Sequence, residues 1–556
     1  MIKKKITEVQ NMKKAQFRRL KTRAISLAMA LLVLLPLCSF FSFAEGGHHT
    51  ILPCIYFRGN SEPIFDENGT QVYDFDVNMD QIKQVAEVVL PLFLKGLATD
   101  NFDTYYRAFG EEMSKLYDRC RLDESGNPRY GTGISQGNKD SNAYEMTHNK
   151  ADGEGRYDMW SYCFRNDWRL DPLKTVEEVN AYIDAVLAVT GKEKVNLVCK
   201  CLGGDLILTY LAVYGWEKIN GVGFGSTVAF GGEEVDDMFS GSMNIDPDEV
   251  ERFLNDRFLQ KELKSKNELL YTFLQETVTL AQATGALKRV TTFFMKTLYA
   301  KLYEGLTPEL VLAMYGTWPG YWAMVTPENY QSTRDFIFGK PGSERYEQYA
   351  GLIKKLDNYD ATVRQRIPEV LMGATNDGVK LAIVSKYGLQ MPPILKSADE
   401  TGDVWATTKR TSLGATTAKI GTTLSDSYVA WRTAVGYGKY ISPDHIIDAS
   451  TCRFPDNTWF LKGLAHDDWW VDENEIMLSV FDYDGNATID TFERYPQFLV
   501  RNPDGSETCI PMTEENMNNE TYPVNGTAPT FFDNLRTFFT HIGAWFRLLI
   551  DLLKTL

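Results

Sequence analysis

Histidine is scarce in this chain, six among 556 residues, and two of those six form the His48-His49 pair. Any chemistry that needs an imidazole therefore has few candidates. Cysteine is sparse too, eight in all, and no spacing resembles a zinc site, so no metal and no cofactor are expected. Basic charge is in deficit, with 58 Lys and Arg against 74 Asp and Glu. One long apolar stretch, residues 24–44, follows a basic segment, and Ser42-Phe43-Ala44 fits a small-x-small cleavage site. That pattern predicts a secretory signal peptide cut after Ala44, and hence a secreted or cell-envelope protein. Met12 is an alternative start that gives the leader a more ordinary length. Leu37-Cys38 lacks the small residue expected before a lipidated cysteine, which excludes a lipoprotein.

Cleavage removes nine Lys/Arg and one Glu, leaving 49 basic and 73 acidic residues, a formal charge of −24. Such a surface repels phosphate backbones, so nucleic acid is excluded as a partner. Seven cysteines remain after cleavage. Most read as free buried thiols, with at most one disulfide among Cys120, Cys452 and Cys509. A hydrophobic content of 44% over this length supports one large domain with insertions, or two domains.

The stretch from Lys194 to Tyr210 organises the rest. Residues 195–199 form a short apolar run suited to a buried strand, and from Leu206 the pattern turns helical. Cys201 stands between them, followed by Gly203-Gly204, which lack side chains where strand and helix approach. A strand, a sharp turn bearing a nucleophile, and a helix make a nucleophile elbow. Upstream, residues 50–57 read as a strand running into Arg58-Gly59-Asn60. Between the two lies Asp167-Trp168-Arg169-Leu170-Asp171-Pro172, then a helix with Thr175 as its cap and Glu178 three residues on, ending at Gly191.

Leu-Val-x-x-Cys-x-Gly-Gly resembles the elbow of the lipase and lecithin–cholesterol acyltransferase branch of the α/β-hydrolase superfamily, with sulfur in place of the serine oxygen. Asp-Trp-Arg-Leu-x-Pro, one helix before the elbow, is similar to a segment of the same branch. The resemblance implies an α/β-hydrolase fold, a mostly parallel sheet with helices on both faces and a helical cap. It also implies an oxyanion hole from the backbone N–H groups of Asn60 and Leu202, each donor being worth about 3 kcal/mol. Arg58 departs from the branch, which has proline there.

Downstream, residues 219–228 read as a strand and 233–366 as helical, the place where such enzymes carry a cap that holds an acyl chain. Strands resume at 379–387 and 458–464. Gly402-Asp403 resembles the branch's acid motif, and Asp444 is the rival acid. His466 follows a core strand and keeps the chain order nucleophile, acid, base, with His445 as runner-up. The predicted triad is Cys201, Asp403 and His466. Lys200, beside the thiol, is an added candidate, although neighbouring side chains usually diverge.

Residues 482–493 are spaced like a calcium loop, but Ala487 stands where glycine is needed, so a β-hairpin turning at Asp484-Gly485-Asn486 is expected instead. The resulting division is signal peptide 1–44, core 45–232, cap 233–366, core 367–470, β-rich extension 471–524, and a linker with an amphipathic helix, 525–556. Arg547 and Asp551 interrupt that helix too often for a membrane span. Peripheral contact with a bilayer and packing back on the domain stay open. The function expected is an acyl hydrolase or acyltransferase acting on a small-molecule or lipid ester through a thioester. The alternatives are a non-catalytic lipid-binding relative and a cysteine thioesterase or peptidase.

Overall fold

The computed structural model describes residues 49–517, apart from Ser61, 73–78, 136–141, 143–144, 147, 255–267, 467, 469–470, 505 and 507. The leader and the 525–556 segment lie outside the described residues.

Eight strands form the central sheet: β1 (Cys54–Phe57), β2 (Tyr162–Phe164), β3 (Val195–Cys201), β4 (Ile219–Thr227), β5 (Lys380–Tyr387), β6 (Thr458–Lys462), β7 (Phe498–Arg501) and β8 (Cys509–Pro511). Their order is β8-β7-β6-β5-β4-β3-β1-β2. All neighbours are parallel except β7 and β8. Strands covered on both faces read as unbroken apolar runs, and every residue of β1 is buried. The chain is an α/β protein with a mostly parallel sheet.

Four helices matter to the site: α1 (Pro172–Thr190), α2 (Gly204–Tyr214), α3 (Glu233–Ser240) and α4 (Val471–Asp482). The first two and the helix Ile367–Asn376 cover one face, burying Val179, Ile183, Ile207 and Leu371. The other face receives α4 through Ile476, Met477, Val480 and Phe481. Gly221, Gly223 and Gly225 alternate along β4, so all three turn the same way. A Cβ there would come within 2.4 Å of Phe481, 2.7 Å of Met477 and 2.5 Å of Glu473. Only a glycine stripe lets α4 settle so close to the sheet.

Two local expectations are corrected. The helix before the elbow starts at Pro172, not at Thr175. Asp171 is its cap, extended at ψ 115° and accepting the Leu173 N–H at 3.0 Å, because proline favours the first helical position and keeps its predecessor extended. The stretch after 471, read as β-rich with a hairpin at 484–486, opens instead with α4 and reaches β7 only at Phe498. The helical spacing of Ile476, Val480 and Phe481 against the glycine stripe overrides the local alternation. Between β4 and β5 the chain is helical, including Glu268–Ala283, Ala300–Met314, Pro319–Trp322, Tyr330–Phe338 and Ala350–Thr362.

Candidate active site

Cys201 ends β3 with φ +53°, a left-handed conformation that non-glycine residues rarely adopt. The pairing of β3 with β4 shifts register at Lys200/Cys201, and the Thr227 hydroxyl donates to the Cys201 carbonyl at 2.8 Å. Around the turn, backbone crowds backbone. A Cβ on Gly203 would lie 2.2 Å from the Phe57 carbonyl oxygen, and one on Gly204 2.3 Å from Thr227 Oγ1. One on Gly59 would lie 2.8 Å from Cys201 Cβ. Three glycines thus let β1, β3 and α2 converge on the thiol. Of the seven described cysteines, all unpaired, Cys201 is the one not fully buried.

The loop after β1 brings Asn60 beside this turn. Neither the Asn60 nor the Leu202 N–H is taken by a backbone carbonyl of the described residues. The Asn60 side chain donates to the Tyr321 hydroxyl at 3.1 Å, tying the loop to the helical insertion. Arg58, where the resemblance leads one to expect proline, pairs with Glu62 at 3.1 Å.

Asp167-Trp168-Arg169 is a bracket between this loop and the insertion. The Trp168 indole donates to the Glu62 carbonyl at 2.9 Å and meets Trp318 edge-on at 5.2 Å. Fully buried Arg169 binds Asp167 and the Cys120 carbonyl, each at 2.6 Å. Gly320 packs on the Trp168 carbonyl, where a Cβ would come within 2.0 Å. Leu202, Trp168, Trp318, Tyr321 and Trp322 form one apolar cluster on which Cys201 borders.

Asp403 and His466 meet beneath the thiol's strand end. His466 Nδ1 lies 2.8 Å from Asp403 Oδ2, and the His466 N–H donates to the Asp403 carbonyl, also at 2.8 Å. Both side chains are buried. The Asp403 Oδ1 accepts from the Trp405 and Ala406 N–H groups at 3.1 and 2.8 Å, closing a turn whose Val404 sits at φ +85°. That conformation is a genuine outlier for a β-branched residue, so the Asp403 turn, like Cys201, is held by a strained backbone.

Burial works against charge on His466, but the Asp403 carboxylate and Cys201 outweigh it and raise the imidazole pKa well above its ordinary value. On Asp403, burial pushes upward, and His466, the Ala406 N–H and Lys386 hold the carboxyl below its ordinary value. His466 Nε2 is buried and has no partner at good hydrogen-bond geometry.

The rival acid and bases are elsewhere. Asp444 is bound by Lys462 at 2.9 Å, Ser442 at 2.6 Å and Tyr387 at 3.0 Å. His445 and His148 are exposed, and His541 lies outside the described residues. Lys200 points away from the thiol, its Nζ donating to the Asp468 carbonyl at 3.1 Å. Sequence reasoning missed Lys386 and Glu473, which join Lys200 below the His466 loop. Lysine inside the apolar run of β5 was the available signal. It also missed Asp205, whose two carboxylate oxygens are buried without a partner, and whose pKa burial drives well up against the pull of Arg364.

No family model matches this chain, and no curated protein matches it. Among solved structures it is similar to one titled "The crystal structure of Tle4-Tli4 complex", at 10% identity and a TM-score of 0.24, over 60% of this chain and 75% of that one. A score so low carries no argument about fold or activity.

Proposed function

We propose that the chain is an exported α/β-hydrolase of the lipase-like, acyltransferase-related kind, acting on ester or thioester bonds through Cys201, His466 and Asp403. His466 Nε2 takes the thiol proton while Asp403 orients the ring and offsets its charge. The thiolate attacks the acyl carbonyl, forming a C–S bond, and the N–H groups of Asn60 and Leu202 receive the oxyanion. Collapse breaks the bond to the leaving group, which departs with the proton from His466 and leaves a thioester on Cys201. Water, or an alcohol, amine or thiol acceptor, then releases the acyl group, so hydrolysis and transfer share one intermediate. The helical insertion serves as the cap, its aromatic cluster facing the acyl portion of the substrate.

The observation that supports this reading most is the conjunction of a strained thiol at a strand–helix turn with a buried imidazole whose Nδ1 is held by a carboxylate and on which that thiol acts. The test is labelling with a thiol-reactive acyl probe. Labelling of Cys201 is expected to disappear in Cys201→Ala and to fall by about 100-fold or more in His466→Ala. Labelling indifferent to His466 overturns catalysis and favours a lipid-binding relative. Cys201→Ser is informative beside them, since ester hydrolysis by it requires a working oxyanion hole.

A further inference from the structure

The sheet ends beneath His466 in a buried cluster of charge that the catalytic steps above do not use. Lys386, on β5, has no exposed surface. Its Nζ donates to three carbonyls of one loop: those of Ala465 at 3.3 Å, His466 at 3.2 Å and Asp468 at 2.6 Å. Lys200, on β3, reaches the same Asp468 carbonyl from the other side at 3.1 Å. Glu473, on α4, approaches Lys386 at 3.0 Å and Lys200 at 3.9 Å. The loop closes on itself as well, the Ala465 N–H donating to Asp468 Oδ2 at 2.9 Å.

A cluster of this kind needs a reason. Taking a lysine out of water costs several kcal/mol unless it is paired and hydrogen-bonded, and apolar residues of similar volume usually stabilise a core as well or better. Burial disfavours charge on Lys386, yet Glu473, Asp468 and Asp403 raise its pKa, so the ammonium stays charged. The charged ends gather at the C-terminal edge of the sheet, on the loop that carries the imidazole. Lys200 is the residue before Cys201, so one strand end supplies both the thiol and a support for its partner. Glu473 enters through Gly225, where any side chain would collide with its carboxylate.

We propose that Lys386, Glu473 and Lys200 form a positioning device that fixes the His466 backbone, setting where Nε2 stands relative to Cys201. Lys386 holds the His466 carbonyl, Asp403 holds its N–H and Nδ1, and the ring is left with one orientation. Lys200 links that placement to the thiol through the strand they share. Glu473 sets one carboxylate beside both ammonium groups. None of the three touches substrate.

This inference rests on the proposed triad, and its test separates the two. The rate of Cys201 alkylation by iodoacetamide, read by mass spectrometry of its peptide from about pH 5 to about pH 10, is compared among wild type, His466→Ala, Lys386→Met and Glu473→Gln. A structural role alone lowers thermal stability but leaves the shape of this profile unchanged. The expected result is that both network variants lose about 10- to 100-fold in rate near neutral pH and take on the His466→Ala profile. Glu473→Gln preserves volume and tests the idea even where Lys386→Met fails to fold. Folded variants that keep the wild-type profile overturn the positioning role while leaving the triad intact. If His466→Ala itself keeps the wild-type profile, the triad falls and this inference falls with it.

Discussion

At the scale of single residues, the site is a problem of space before it is one of chemistry. Cys201 at φ +53° carries a backbone conformation that costs about 1–3 kcal/mol and persists only where its surroundings enforce it. The enforcement comes from residues with no side chain. Gly203 faces the Phe57 and Arg58 carbonyl oxygens at 2.2 and 2.7 Å from where a Cβ would stand, and carbonyls at a strand end cannot swing aside as a flexible side chain does. Gly203→Ala is therefore expected to lose about 1–3 kcal/mol or more, measured by urea unfolding, together with acyl labelling of Cys201. A variant of wild-type stability would show that the turn is looser than its geometry implies.

At the scale of elements, α3 gathers four acids, Glu233, Glu234, Asp236 and Asp237, into its first turns. Such residues favour a helix N-terminus, but the same position is packed under the insertion. Glu233 binds Thr407 and Arg410, and Asp236 binds Thr326 and Asn329. Burial pushes Glu233 up to about 7, Glu234 up to about 8 and Asp237 up to about 6. A carboxyl whose folded value is raised makes the native state bind more protons than the unfolded chain, so stability falls as pH rises from the ordinary value to the folded one. The raised pKa of His466 has the same sign, its contribution being complete below its ordinary value and lost as pH rises through the folded one. The melting temperature is expected to drop by about 5 °C between about pH 5 and about pH 8, with Glu234→Gln removing part of that drop. A flat or rising profile would contradict these placements.

At the scale of the whole molecule, the chain reads as a leader followed by a strongly acidic body. If export cuts after Ala44, the protein recovered from the extracytoplasmic fraction begins at Glu45, and its intact mass gives the position directly. Retention of residues 1–44 would remove the export reading without touching the site. The strands were readable because buried parallel strands are continuous apolar runs bounded by turn residues, and the sharp turn at Cys201 because paired glycines mark where strand and helix approach. The chain order of thiol, acid and imidazole could also be read along the sequence. What local pattern misjudged was the run after 471, where a helix prevails because Gly221, Gly223 and Gly225 of β4, far upstream in the chain, offer it a groove. Nor could sequence choose between Asp403 and Asp444, since both sit in polar loops after strands. Only the folded loops bring Asp403 onto His466 and give Asp444 to Lys462. The lysines beneath the imidazole loop belong to the same class. Periodicity and composition specify which residues are buried, because burial of apolar area is local and additive. The partner of a buried charge is decided by tertiary contact alone, because hydrogen bonds and ion pairs act over a few ångströms between strands far apart in the chain.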